Sequence, residues 1–241
     1  MSILRLLLDP APGRLRAMAK ANRAKARPYH HGHLREALIA ASCAILDEEG
    51  AQALTLRSAA RRVGVSHAAP KNHFGDLAGL MSAVAAEGFR RLAVVMLAAA
   101  AKKKDPVGRL IEVGVVYVGF AQASPGHFRA MFHPSLGPRA PGSELEQAST
   151  AALSALVSAV SAAQQAGQLR SGDPLELSLA AWSMVHGLAA LVVDGHLANK
   201  GLPQDGEALA RSFGELLYQG MKAPAPKKPR PKRRLAPHDR R

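Results

Sequence analysis

Residues 55–74 read TLRSAARRVGVSHAAPKNHF. Thr55 can cap a helix with its hydroxyl, and the residues after it place Ala59, Ala60 and Val63 on one side, with Arg57, Arg61 and Arg62 elsewhere. Val63-Gly64-Val65-Ser66 then makes a tight turn. Gly64 tolerates a positive φ there, and Ser66 can cap the next helix. That short helix is expected over His67–Phe74, with Pro70 early in it, where a missing N–H costs least. Helix, glycine turn and helix within this span let the second helix cross the first and project into a DNA major groove. Helical hairpins with glycine turns also occur in proteins that bind no DNA, so the flanks matter.

Upstream, His33 to about Glu49 carries Leu34, Ala37, Leu38, Ala41, Ile45 and Leu46 at helical spacing and stops at Gly50. Cys43, the only cysteine, lies among these apolar residues and reads as a buried structural thiol. Without a partner it forms no internal disulfide, which fits a cytoplasmic protein. Downstream, Gly75-Asp76 opens a long helix to about Ala101, ended by Lys102–Lys104 and Asp105-Pro106. Further helices are expected at about 106–122, 126–132, 143–166, 174–198 and 206–221, joined by Pro/Gly connectors. No segment alternates as a strand does, and the Ala-rich, aromatic-poor composition favours helix. The expected fold is all-α: a three-helix DNA-binding unit over 29–75, followed by a helical bundle over 76–221.

Charge is concentrated at the ends. Residues 1–28 hold seven Arg/Lys against one acid and 222–241 hold nine against one, so 29–221 is balanced. The ends are expected to be a disordered basic arm, with a short helix around Leu15–Lys25 as an alternative within it, and an extended Pro/Lys/Arg-rich tail. Both would attract polyanions, nucleic acid first, or serve solubility alone. Pro-Arg-Pro at 229–231 is a weak minor-groove candidate. No stretch is read as long and apolar enough to span a membrane, and the run Ile3–Leu8 is too short for a signal-peptide core.

The context of the helical hairpin carries a resemblance. Tyr29-His30-His31-Gly32-His33-Leu34-Arg35-Glu36-Ala37-Leu38 resembles the lead-in to the first helix of tetracycline-repressor (TetR) family regulators. Thr55-Leu56-Arg57, Val63-Gly64-Val65-Ser66 and His73-Phe74-Gly75-Asp76 resemble the rest of that family's DNA-binding domain. Lys71 stands where the family usually has an aromatic, Asn72 where one branch has an arginine, and Gly79 where a better helix former is usual. The resemblance implies a dimeric regulator on a palindromic double-stranded operator, with repression as the usual mode and Phe74 closing the three-helix core. Thr55, Arg57, Ser66, Lys71 and His73 are then placed for phosphate oxygens, and His67, Ala68 and Asn72 for base edges. Each has the alternative of only capping or solvating the domain.

Ala181-Trp182-Ser183-Met184-Val185-His186-Gly187-Leu188 resembles the Trp–His–Gly signature of one TetR-type C-terminal domain. Trp182 and His186 share a helix face, and Gly187 would allow close helix approach. Phe120, Phe128, Met131, Phe132, Trp182 and His186 are candidate ligand contacts, with His186 as a polar handle, or else the core of an Ala-rich bundle. By resemblance, helices 174–198 and 206–221 pair with a second copy. That pairing would bury Leu179, Val185, Leu188, Leu209, Phe213 and Leu217. A small-molecule effector is implied but not identified.

An enzyme is a poor fit: there is no Gly-rich phosphate loop, nucleophile elbow or catalytic triad. His30-His31-Gly32-His33 invites a metal reading but has no cysteine beside it, so no metal or cofactor is expected. The remaining rival is a nonspecific DNA-coating protein driven by its basic ends.

Overall fold

Apolar residues of helix α1 (Leu34–Glu48) point inward at helical spacing, with Leu38, Ile39, Cys43, Ile45 and Leu46 buried. The computed structural model describes residues 33–137 and 139–223. The expected basic arm, its alternative short helix, His30–Gly32 and the tail beyond Ala223 lie outside the described residues.

The chain passes Gly50 (φ 82°) and a 3-10 turn at Ala51–Ala53 into α2 (Leu56–Val63). Thr55 caps α2 as expected. Its Oγ1 accepts from Ser58 N at 2.9 Å, and the Ser58 hydroxyl accepts from Thr55 N at 2.9 Å. Gly64 ends α2 in the left-handed region, φ 80°. The following helix α3 (Ala69–Phe74) starts two residues later than expected. Ser66 does not cap it with its side chain. Its carbonyl instead accepts from Ala69 N at 3.0 Å, and that turn takes up His67 and Ala68.

Asp76 caps the long helix α4 (Leu77–Ala101), accepting from Gly79 N at 2.8 Å. Gly79 is no weak spot here. A Cβ on it would fall on the Phe74 carbonyl oxygen, so glycine permits the tight joint between α3 and α4. Helices α5 (Pro106–Ala123), α6 (Pro125–Met131), α7 (Glu144–Gln165), α8 (Pro174–Val193) and α9 (Gly206–Met221) complete the all-α bundle. Helix α8 ends five residues short of expectation, at a turn through Gly195 and a 3-10 segment, Ala198–Lys200. An isolated antiparallel bridge, Leu169 to Lys222, ties the α7–α8 connector to the end of α9.

Two apolar clusters result. One gathers Leu38, Ile45, Leu54, Ala59, Leu80 and Val84 from α1, α2 and the start of α4, with Phe74 packed at its edge. The larger one fills the bundle from α4 to α9. Helix α8 corrects one expectation: at 20 residues and mean hydropathy 1.5 it is long and apolar enough, by length and composition alone, to cross a membrane. Core helices of soluble proteins pass the same test.

Helix α6 joins the clusters. Its first turn meets α1, where Asp47 accepts a hydrogen bond from Gly126 N and Cys43 Sγ lies 3.0 Å from His127 Nε2. A Cβ at Gly126 would come within 2.5 Å of Asp47 Oδ1 and 2.8 Å of the Cys43 carbonyl, so only glycine permits this approach. Burial pushes the Cys43 thiol up to about 12 and, helped by Arg91, pushes His127 down to about 4. Both groups are therefore neutral at pH 7, and the thiol donates to the imidazole. A second tie is ionic: Arg35 of α1 pairs with Glu144 at 2.8 Å, and Arg90 of α4 pairs with the same carboxylate at 2.9 Å.

Gly126→Ala should cost about 1–3 kcal/mol through overpacking at a backbone contact. An unchanged thermal midpoint would contradict the close fit. His127 has a folded pKa below its unfolded value of about 6.5, so its stabilising contribution is full above pH 6.5 and is lost as pH falls toward 4. Urea titrations at pH 7.5 and 4.5 should show wild type losing up to about 3 kcal/mol more than His127→Gln. Equal losses would contradict a buried neutral imidazole.

Candidate nucleic-acid interface and ligand cavity

The segment from Thr55 to His73 presents a polar surface. Thr55, Arg57, Ser66, His67, Ala68, Lys71, Asn72 and His73 are all exposed. Their surroundings separate them. The Thr55 hydroxyl is engaged in the cap, accepting from Ser58 N and donating to Ser58 Oγ. His73 sits beside the Phe74 ring and borders a hollow between α1, α3, α4 and the start of α7, together with Arg35. It therefore faces the bundle side of α3. Among the described residues, no hydrogen bond or ion pair engages the side chains of Arg57, His67, Lys71 or Asn72. Arg62 contrasts with them, since Glu48 and Glu49 both pair with it. Glu48 and Glu49 are thus drawn to Arg62 on α2 rather than to the cations of α3. Arg61, which sequence reasoning did not single out, is a further exposed cation without a carboxylate partner among the described residues.

The bundle holds a cavity of about 170 Å³ between α4, α5, α7, α8 and α9. Of the expected ligand contacts, Phe132 and Trp182 line it. Phe120 and Met131 are fully buried core, and Phe128 packs behind the wall, so none of the three lines the cavity. His186 does not line it either. Its ring lies 4.4 Å from Phe132 and 5.4 Å from Phe128, centroid to centroid. Tyr117, missed by the sequence reading, is the hub of the polar wall. Trp182 Nε1 donates to Tyr117 Oη at 3.2 Å, and Tyr117 Oη lies 2.9 Å from His186 Nδ1. Burial holds the His186 pKa below its ordinary value and the Tyr117 pKa above its own. The phenol then donates a hydrogen bond to the imidazole, and the relay from Trp182 to His186 is internally satisfied. The signal for Tyr117 was its helical position three residues before Phe120, which composition alone could not rank.

The helices expected to pair with a second copy divide their apolar residues between the core and the surface. Val185 and Leu188 are buried within the chain, a correction to the expectation that a second copy must cover them. Leu175, Leu179, Ser183, Gly187 and Leu191 instead form an exposed stripe at four-residue spacing along α8. Leu216 on α9 is 68% exposed. Nothing lies within 4 Å of a Cβ built on Gly187, so its open side faces away from the chain's own core.

Residues 110–216, which include Trp182, His186 and Gly187, match the family described as tetracyclin repressor-like, C-terminal domain. A bacterial regulatory protein of the tetR family from Rhodococcus RHA1 shares the fold over 79% of this chain and 98% of its own, at 18% identity and TM-score 0.63. Residues 110–216 belong to the tetracyclin repressor-like C-terminal domain family, and the fold as a whole is the one TetR-family proteins share. A protein of unknown function from Rhodococcus sp. RHA1 is similar at 32% identity and TM-score 0.70, over 82% of this chain and 100% of that one. RolR, whose structure is a complex with resorcinol, has TM-score 0.57 at 14% identity, over 80% of this chain and 89% of its own. No curated protein matches the chain.

The relay gives a direct test. Tyr117→Phe leaves Trp182 Nε1 and His186 Nδ1 without their shared partner, which should cost about 1–3 kcal/mol. Denaturant unfolding should show that loss, together with shifted emission from Trp182, the only tryptophan. Unchanged stability and emission would contradict the relay.

Proposed function

We propose that this TetR-family chain is a dimeric cytoplasmic repressor that holds a short inverted repeat and leaves it when a small, largely apolar ligand enters the bundle. The observation that carries the reading is the pairing of an exposed face of uncommitted polar side chains on α2–α3 with a largely apolar cavity, linked through α6. We divide the chain, on this reading, into a DNA-binding unit over 29–75 and a ligand and dimer unit over 76–221.

In the proposed complex, α3 enters the major groove. Arg57, Ser66 and Lys71 take phosphate oxygens, with Thr55 and His73 at the margins, while His67, Ala68 and Asn72 meet base edges. Asn72 can pair bidentately with adenine. The exposed stripe on α8 and Leu216 on α9 support pairing with a second copy, and two-fold protein symmetry asks for a palindromic site. The exposed half of α8 also accounts for its high hydropathy without a membrane. For the ligand, resorcinol in RolR shows that a TetR-like fold holds a small ring compound. A cavity near 150 Å³ accommodates about one benzene ring. The ligand must favour the DNA-incompetent arrangement, since equal binding to both would shift nothing.

Selection from random DNA, followed by sequencing, tests the core of this. The expected result is one enriched inverted repeat that is retained after removal of 1–28 and 222–241. Loss of preference on truncation would favour nonspecific coating by the basic ends. Lys71→Ala should weaken binding to every sequence and lower the salt slope by about one, whereas Asn72→Ala should relax choice at one position, by about 1–3 kcal/mol. Anisotropy titrations at several salt concentrations would measure both. An unchanged Lys71→Ala slope would contradict the docking.

A further inference from the structure

We infer that the effector is a small apolar acid, a monocarboxylate on a body of about one aromatic ring or six to eight carbons, whose anionic end is held by Arg139. The inference rests on the ligand-responsive reading above and names the ligand class of that same cavity. Its size follows from the cavity volume of about 170 Å³. Its charge follows from the wall.

Among the described residues lining the cavity, Arg139 is the one charged side chain. Its guanidinium stands 5.0 Å from the centre of the Phe89 ring, and Phe89 in turn packs edge-on against Phe132 at 5.5 Å. A ring face engages the flat side of a guanidinium and leaves its in-plane N–H groups free. No carboxylate pairs with Arg139 among the described residues. Its neighbours differ: Arg35 and Arg90 share Glu144, and Arg91 takes Glu87. The other polar groups of the wall are weak competitors for an anion. The Trp182–Tyr117–His186 relay is internally satisfied, and Ser149 Oγ donates to the Glu146 carbonyl at 2.9 Å. The Tyr218 hydroxyl is uncommitted but neutral. A planar fork of free donors beside an apolar cavity is matched to carboxylate geometry.

Arg139 also borders the hollow of about 350 Å³ that contains Arg35 and Glu144. A carboxylate at Arg139 therefore brings negative charge to the place where Arg35 and Glu144 tie the DNA-binding helices to the bundle. It repels Glu144 and competes with it for Arg35. The apolar body meets Phe132, which comes directly after α6, while the anionic end loosens the ionic tie. Both effects act on the seating of α1 and give the ligand a differential affinity for the two arrangements.

The test uses the full chain, with Trp182 emission as the readout and two matched series as probes. One is phenylacetate, 2-phenylethanol and 2-phenylethylamine; the other is octanoate, 1-octanol and octylamine. Each acid should bind about ten-fold or more tighter than its alcohol, and the amine should bind weakest. Arg139→Gln should abolish the preference for acids while leaving alcohol binding in place, and Arg139→Lys should restore part of it. Because Arg139 is exposed, the substitution leaves the core intact. Alcohols or amines binding as tightly as acids, or an acid preference that survives Arg139→Gln, overturns the inference and leaves the ligand-responsive reading standing. Silence from all six probes counts against both.

Discussion

The approach of α1 to the first turn of α6 governs how the two apolar clusters relate. It depends on the missing side chain of Gly126, which brings the Cys43 carbonyl and the Asp47 carboxylate against the backbone of α6. At that distance His127 must be neutral, because an imidazolium would be desolvated beside a thiol that has also lost its water. Seven residues of helix thus carry two contacts of opposite kind. The polar end touches the cluster built by α1, α2 and the start of α4, and the aromatic end, through Phe128 and the adjoining Phe132, reaches the rings around the cavity. A short rigid helix held at both ends transmits displacement more readily than a loop does, since packed interfaces shift between discrete arrangements.

Charge is arranged in keeping with this. On the bundle side, Glu144 and Glu87 collect Arg35, Arg90 and Arg91. Burial alone would raise the Glu87 carboxyl, yet Arg91 and Arg90 hold it below its ordinary value. On the far side of the hairpin Arg57, Arg61 and Lys71 are left to solvent. Exposed pairs contribute little stability individually, about 0–1 kcal/mol. Their effect is to decide which cations near the hairpin and the cavity stay uncommitted, and among these are Arg57, Arg61 and Lys71 on α2–α3 and Arg139 beside the cavity.

Local chemistry made much of the fold legible. The Thr55 cap, the positive φ at Gly64, the start of α4 at Asp76 and the order of the helices all arise from side chains acting on their own neighbours. Elsewhere a competing backbone or tertiary contact decided the outcome. Ser66 spends its carbonyl on a turn, so α3 begins late. Gly79 looked like a poor helix former because the Phe74 carbonyl occupying its missing Cβ is a tertiary fact. Helix α8 looked longer because Leu197 and Ala198 continue the apolar content past Gly195. In the cavity, Phe132 and Trp182 were legible as large side chains in an Ala-rich bundle. Phe120, Phe128 and Met131 were not separable from them, because which large residue faces a void depends on helix rotation rather than residue type. Arg139 carries no local signature, and the helical spacing of Tyr117 from Phe120 does not rank it above its neighbours.

If the cavity and the proposed DNA-binding surface are coupled through α6, filling the one moves the two proposed DNA-binding units of the proposed dimer relative to each other. The most direct measurement is the distance between nitroxide labels introduced at Gln52, an exposed residue of the DNA-binding unit, in the two protomers, by pulsed electron paramagnetic resonance with and without ligand. Bound to its site, the dimer should give one narrow distribution, set by recognition helices about 34–36 Å apart. A ligand that releases DNA should shift or broaden that distribution in the DNA-free dimer. A distribution unchanged at saturating ligand, in a protein that nonetheless releases its DNA, would contradict the coupling.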